Sequence, residues 1–545
     1  MKAIAIIPAR GGSKGIPRKN LRPVAGKPML FYSIRACLSS VNINKVFVTT
    51  DDDEIALFAE RFGAEVIMRQ TSLADDITPL DPVIHNALVL AEKSTGEQFD
   101  IIVTVQPTSP LIQSHDIDSV VNKFLESDFD TVQTVVDDRH LCWTIKDSKA
   151  LPLYEKRVNR QLLPKNYRET GAVIACTRSQ IKKGSRIGSN VGLVEMPQNR
   201  SFDIDNFSDL FLCEAMLNRK KIIFTVIGYA EVGLGHAFRA VMLAHELVNY
   251  DLVFICEKKN DLAIKYIQSN NYEVSVCENG SLTEAVLEQT PDIVINDILD
   301  TEETYITALK ASGIIVVNFE DLGSGHLCAH LVVNALYPDA VASKHVLTGE
   351  KYFCVRDEFL YIEKKIRSQH VNKVLLTFGG VDEGDLTTRV LSSISAACIE
   401  NEIEVIVVLG PGFQNSQSLD QCLQTMNGLK INVYHHTKRI SDLMREADIA
   451  ITSGGRTVLE LASLEVPTIV ICQNTRETTH TFASKEKGIL NLGHRDNISD
   501  SDILSSFNQV LSDESLRNEM SDNMAALDLT LGKQRVINKI VSLIK

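Results

Sequence analysis

The sequence offers little that would build a disulfide framework, a zinc site or a membrane anchor. Its eleven cysteines are scattered singly, with no CxxC and no paired cluster. That pattern reads as isolated thiols in a reducing compartment. No apolar run approaches the roughly 20 residues of a membrane span. The start, MKAIAIIPAR, stops its short apolar stretch at a proline and has no small-residue cleavage site, so it does not read as a secretory signal. A soluble, cytoplasmic protein is expected. Basic charge is also scarce: 56 Lys and Arg against 70 Asp and Glu leave a formal charge of −14. A nucleic-acid binder would need the opposite sign on its contact face. Single nucleotides stay possible, because a few local cations and backbone amides can hold them. No internal repeat and no low-complexity tract is visible, so the 545 residues must fill separate domains. At roughly 150 residues each, three or four are expected.

What is present is an alternation of short β-branched runs with amphipathic stretches, the pattern of parallel sheets covered by helices. AIAII (3–7), KVFVTT (45–50), DIIVTVQ (100–106) and DTVQTVV (130–136) form a first series that runs to about residue 218. IIFTVIG then opens a second, continued by DLVFIC, DIVIND, GIIVVNFED and LVVNAL. Near residue 371 the pattern starts afresh with KVLLTFGGVDEGD and EVIVVLGPG. The expected fold is therefore α/β: a domain at 1–218, then two Rossmann-like halves at 222–370 and 371–545.

The sharpest motif is PARGGSKGIPRKN (8–20), directly after the first expected strand. A glycine-bearing loop at the carboxyl end of a parallel strand is where open α/β sheets bind ligands. Gly11, Gly12 and Gly15 let backbone amides approach phosphate oxygens, and Arg10, Lys14, Arg18 and Lys19 supply charge. The loop is not a Walker A sequence. By itself it is as readily a turn carrying solvated bases.

It does not stand alone. With TTDD (49–52), QPTSPL (106–111), YRETGAVIA (167–175) and SFDIDNFSDL (201–210), the region resembles the CMP-sialic acid synthetase family of cytidylyltransferases. The resemblance implies a Rossmann-like nucleotidyltransferase domain that joins CTP to a nine-carbon nonulosonic acid. It places Arg10, Gly11, Gly12, Ser13, Lys19 and Asn20 on the CTP loop, with Arg10 and Lys19 against the triphosphate. Gln106 and Arg168 fall on sugar-acid positions, and Asp203 and Asp205 on magnesium carboxylates. Two carboxylates at i and i+2 on an extended segment point the same way and can share a hard cation. Alone, DID is also an Asp-rich turn capping the helix that follows. RETGA stands where the family often has RPNGA, so Glu169 leaves the sugar acid open. A homodimer through this domain, using the 137–165 excursion, is implied as well. Asp75 and Asp76 lie near a family ligand stretch but read equally as a helix-entry turn.

In the second part, GLGHAFRAVMLAHEL (233–247) puts His236 at a helix start after a glycine loop. There an added positive charge is disfavoured, which suits a neutral general base. A helix-capping or packed histidine is the plainer alternative. SGGRTVLELASLEVPTIVI (453–471) is a strand–GG–helix unit; Gly454 and Gly455 are expected to open the helix toward a diphosphate, with Glu460 toward ribose hydroxyls. These features, with VIND, NFED, VVNAL, RDEF and LTFGGVD, resemble the GT-B superfamily, and within it the UDP-sugar hydrolases of pseudaminic acid biosynthesis. That implies release of a 2,4-diacetamido-2,4,6-trideoxyhexose from UDP, His236 as base, and no obligatory metal. Leu459 departs from the Asn the family often has there. HLCAH (326–330) sets two histidines at i and i+4, read as core or loop histidines rather than a metal site, and His435–His436 as loop residues. The expected whole is a bifunctional enzyme acting on CTP, a nonulosonic acid and a UDP-sugar. The alternatives are a glycosyltransferase or a non-catalytic nucleotide-sugar module in the second part.

Overall fold

The computed structural model describes residues 1–544 except 13–14, 76, 230–231, 338–342 and 436, with Thr71 described for its backbone alone. The chain forms two compact units, Met1–Arg219 and Lys220–Lys545.

The first unit is built on one seven-stranded sheet. Its order is Val191–Glu195, Thr131–Asp137, Tyr167–Thr177, Ile101–Val105, Ala3–Pro8, Lys45–Thr50 and Glu65–Met68. Tyr167–Thr177 runs antiparallel to both neighbours and the other pairings are parallel. The opening run is apolar at every position because its strand is covered on both faces. Ala3, Ala5 and Ile7 enter one core, while Ile4 and Ile6 enter the core on the opposite face. Between Asp137 and Tyr167 the chain makes an exposed hairpin, Trp143–Lys146 with Lys149–Pro152.

The second unit holds two parallel sheets. One has seven strands in the order Val274–Cys277, Asp251–Glu257, Lys221–Val226, Ile293–Asp297, Ile315–Phe319, Leu331–Asn334 and Val346–Thr348. The other has six: Lys430–His435, Glu404–Leu409, Lys373–Thr377, Ile449–Thr452, Thr468–Cys472 and Ile489–His494. In each, the first strand in sequence sits inside the sheet and the order reverses there, leaving a crevice at the strands' carboxyl ends. These are the two Rossmann-like halves expected from the sequence, and the α/β reading holds for both parts of the chain.

The last helix, Gly532–Ile544, departs from sequence order. Its apolar face (Val536, Ile537, Ile540) enters the core of the seven-stranded sheet, not that of the six-stranded sheet preceding it in the chain. Lys533 at its start bonds to Glu246 and Asp357. An amphipathic stripe is blind to which core it joins, so sequence order alone could not assign it. Among the described residues no helix is long and apolar enough to cross a membrane.

Candidate active sites

In the first unit the glycine loop folds across the carboxyl ends of its first two strands. The Gly11 amide donates to Asp51 Oδ1 at 3.2 Å, and a Cβ on Gly11 would stand 2.7 Å from the Asp52 carboxylate. Asn20 is buried and donates to the Arg10 carbonyl at 2.9 Å, cinching the two ends of the loop. Arg10 reaches the Asp75 carbonyl at 3.3 Å. Gly12 has nothing near its Cβ position. Ser13 and Lys14, expected on the same loop, lie outside the described residues, as does Asp76.

The far end of the loop meets the DID segment. A Cβ on Gly15 would fall 2.6 Å from the Asp205 carbonyl oxygen, and Lys19 Nζ stands 3.2 Å from Asp205 Oδ1. The helix that follows, Phe207–Leu217, is capped by Asn206 in a capping box with Asp209. The carboxylates of Asp203 and Asp205 are thus not spent on capping. Asp203 Oδ1 is buried and has no hydrogen-bond partner among the described residues. Burial pushes the Asp203 pKa up and outweighs the nearby Thr108 hydroxyl, which acts the other way; the adjacent Asp205 charge adds to the rise.

Gln106 follows the strand Ile101–Val105, its amide bonded to the Ala172 carbonyl at 3.1 Å. Gly171, at φ +71°, packs against its side chain. Arg168 is exposed and pairs with Asp138 at 3.4 Å. Glu169 accepts a 2.9 Å bond from Gln133 on the neighbouring strand.

In the second unit one cleft of about 660 Å³ takes residues from both Rossmann-like halves, among them His236, Glu320, Tyr337, Gly455, Glu460 and His480. His236 is the second residue of the helix Gly235–Glu246. Its Nδ1 lies 2.5 Å from Asp297 Oδ1, at the end of the strand paired with Lys221–Val226. A carboxylate there can only accept, so Nδ1 donates, and in the neutral ring this tautomer places the lone pair on Nε2. Arg239, one helical turn on, donates to both Asp297 oxygens at 2.6 and 2.7 Å and to Glu320 Oε1 at 3.0 Å. All three side chains are buried. Burial opposes the Asp297 charge, but Arg239 and His236 outweigh it and hold its pKa down at about 2. Burial likewise opposes the charge on Arg239, and the two carboxylates more than offset it.

The glycine turn at 453–455 differs from expectation. The helix begins at Thr457 and has only seven residues. The Gly454 amide is already committed to the Glu477 carboxylate at 3.1 Å, which also accepts from the Gln473 amide at 2.7 Å. Gly454 and Gly455 therefore do not open a helix, and the amide expected to receive a diphosphate is occupied by a carboxylate from the next loop. A short GG turn gives no warning of an acidic residue that arrives from 23 positions later. Glu460 lines the cleft and is gripped by Arg356, at 2.8 and 3.0 Å.

His326 and His330 are spent locally. His326 Nδ1 bonds the Gly323 carbonyl and His330 Nδ1 accepts the Val316 amide. Among the described residues no group of three or more His, Cys, Asp or Glu is placed to hold a metal. His436 lies outside the described residues.

Residues 4–180 match the family model described as Cytidylyltransferase, and residues 374–534 the Glycosyltransferase family 28 C-terminal domain. The CMP-N,N'-diacetyllegionaminic acid synthase of Campylobacter jejuni is 31% identical over 226 residues, which cover 40% of this chain and 96% of that protein. The first unit belongs to the cytidylyltransferase family. The pseudaminic acid cytidylyltransferase of the same species is 27% identical over 218 residues, 38% of this chain and 94% of that protein. The uncharacterized protein MJ1062 of Methanocaldococcus jannaschii is 30% identical over 273 residues, and the chain spans only 56% of its length.

The cytidylyltransferase unit brings Arg10, Gly11, Lys19, Asn20 and Asp205 around one loop, with Gln106 and Arg168 on separate strand ends. Asp51, in TTDD, anchors the loop in a way that no local pattern announces. Asp51 accepts from Gly11 and from the buried Arg69, at 3.3 Å. In the second unit Asp297 and Glu320, which stand in VIND and NFED, were not expected at the cleft, yet Asp297 bonds His236 and Arg239 ties it to Glu320. The signal was available: an acidic residue at or just past the carboxyl end of a largely apolar strand, the edge where ligands bind.

Proposed function

We propose that the protein is bifunctional: the first unit transfers CMP from CTP to a nonulosonic acid, and the second hydrolyses a UDP-linked diacetamido sugar. For the first reaction, the sugar's anomeric hydroxyl attacks the α-phosphorus of CTP and gives up its proton to water, the bond to the β,γ-portion breaks, and pyrophosphate leaves. Lys19 and Arg10 hold the triphosphate. The first unit's resemblance to enzymes acting on pseudaminic and legionaminic acids supports the substrate class.

Magnesium fits this site. Asp203 offers a buried oxygen with no hydrogen-bond partner, beside a second carboxylate already facing Lys19. Asp203 and Asp205 would hold the ion, which would supply positive charge to the phosphate oxygens. The exposed apolar side chains on the 143–152 hairpin, Trp143 and Ile145 among them, support a homodimer through this unit. We take the compartment to be the cytoplasm, where CTP is available and the eleven unpaired cysteines stay reduced.

For the second reaction the carrying observation is the His236–Asp297–Arg239 array at the cleft wall. Asp297 fixes the imidazole so that Nε2 can take a proton from water. The water oxygen bonds to the anomeric carbon, the carbon–oxygen bond to UDP breaks, and the electron pair leaves on the β-phosphate. Arg456, a half-buried cation of the same cleft, is available to the leaving diphosphate.

A glycosyltransferase is the second reading, favoured by the match at 374–534. Purified protein incubated with UDP-sugars in buffer separates the two. UDP release without any acceptor is expected, and its absence sinks the hydrolase. CTP, Mg²⁺ and candidate nonulosonic acids, supplied separately, should yield pyrophosphate.

A further inference from the structure

Four residues lining the cleft of the second unit each carry a buried side-chain atom with no hydrogen-bond partner among the described residues: Glu320 Oε2, Gln473 Oε1, His480 Nε2 and Arg456 Nη1. Folded proteins rarely leave such atoms unmet, and a cluster of them at one cavity calls for a partner from outside the chain. Each of the first three is pinned by its own second polar atom. Glu320 Oε1 accepts from Arg239 at 3.0 Å; Gln473 Nε2 donates to the Phe378 carbonyl at 2.8 Å. His480 Nδ1 lies 2.8 Å from the Gly454 carbonyl, so it must carry the proton and Nε2 must be a bare lone pair. Burial lowers the pKa of His480, which keeps that lone pair available. Glu320 is further held at φ +51°, a conformation that side-chain-bearing residues seldom adopt. Its backbone carbonyl is fixed by Arg476 at 3.1 Å.

Three fixed acceptors and one donor describe the ligand's complement. It presents mainly N–H and O–H groups and carries no negative charge toward Glu320. We propose that Glu320 and His480 are specificity-determining acceptors for the N–H and O–H groups of a neutral amide-bearing sugar. The same wall turns away a sugar acid, whose carboxylate would face that of Glu320 and offer no proton. The cytidylyltransferase product, a nucleotide-linked sugar acid, is then not the ligand of the second cleft. The inference rests on the nucleotide-sugar reading of that cleft, but not on its hydrolytic outcome.

Calorimetric titration of the full chain tests it with UDP, UDP-glucose and UDP-N-acetylglucosamine as probes. The parent should bind UDP-N-acetylglucosamine at least ten-fold tighter than UDP-glucose. In E320Q, Arg239 keeps the amide oxygen and the amide nitrogen faces the cleft, a donor in place of an acceptor. That variant, and H480F, should shrink the preference to under three-fold while still binding UDP. If both variants keep the parent's preference, or if the parent shows none, the assignment is overturned. Should E320Q fail to bind UDP, H480F decides. Hydrolysis is read separately as UDP release, so its absence counts against the hydrolase alone.

Discussion

His236 Nδ1 and Asp297 Oδ1 stand 2.5 Å apart although 61 positions separate them in the chain. The strand ending in Asp297 pairs with the strand that feeds the His236 loop, and Val226 lies in register with Asp297. The sheet register therefore fixes Asp297 at the strand end from which the chain leads to the His236 helix. Replacing His236 with glutamine should slow UDP release by ~10²–10⁴-fold, the ordinary worth of a positioned general base. CMP transfer depends on the other unit and should hold its parental rate. Paired assays for UDP and pyrophosphate check both; loss of both in a folded protein would refute two independent sites.

Asp297→Asn removes the charge that neutralises buried Arg239 and no longer dictates the imidazole tautomer. Breaking a buried pair from one side costs about 3–5 kcal/mol, so the melting point should fall with activity. The pH dependence has a defined sign. The folded pKa of Asp297 is about 2, below an unfolded value of ~3.9. The stability it contributes is whole above pH ~4 and drains as pH falls toward ~2. The variant should lack this component, giving a flatter curve of melting point against pH in that window.

Asp203 predicts the opposite stability effect. Burial raises its folded pKa above the unfolded value, so its ionisation costs stability as pH climbs past the unfolded value, a cost complete above the raised one. Asp203→Asn should therefore melt a few degrees higher at neutral pH in metal-free buffer while losing CMP transfer. It should also lose the stabilisation that added Mg²⁺ gives the parent. A lower melting point and retained transfer would exclude Asp203 from the site.

Gly15→Ala probes the seam between the loop and DID. Its Cβ would lie 2.6 Å from the Asp205 carbonyl, a backbone atom that cannot swing aside. The variant should weaken CTP binding by an order of magnitude or more and leave UDP release untouched. Gly12→Ala, with open space at its Cβ, should bind CTP nearly as the parent does when titrated in parallel.

The α/β series, the glycine loop at 8–20 and the placement of His236 were legible because each is local. Strand periodicity, a turn that needs glycine and a helix start all leave their marks within a few residues. Asp51, Glu320 and Glu477 were not read as site residues. Each acts on a loop or side chain from another part of the chain, and no local pattern records which charge faces which amide.

By itself, then, the sequence determined two successive α/β constructions and the motifs at their strand ends, since apolar runs buried on both faces admit little else. Tertiary structure decided the remainder. It filled the Gly454 amide with Glu477, sent the last helix back to the core of the second unit's seven-stranded sheet, and wired His236 through Asp297 and Arg239 to Glu320. Burial is the physical reason. A charge or amide removed from water must find a partner inside the fold, and that partner is chosen by distance in space rather than by position in the chain.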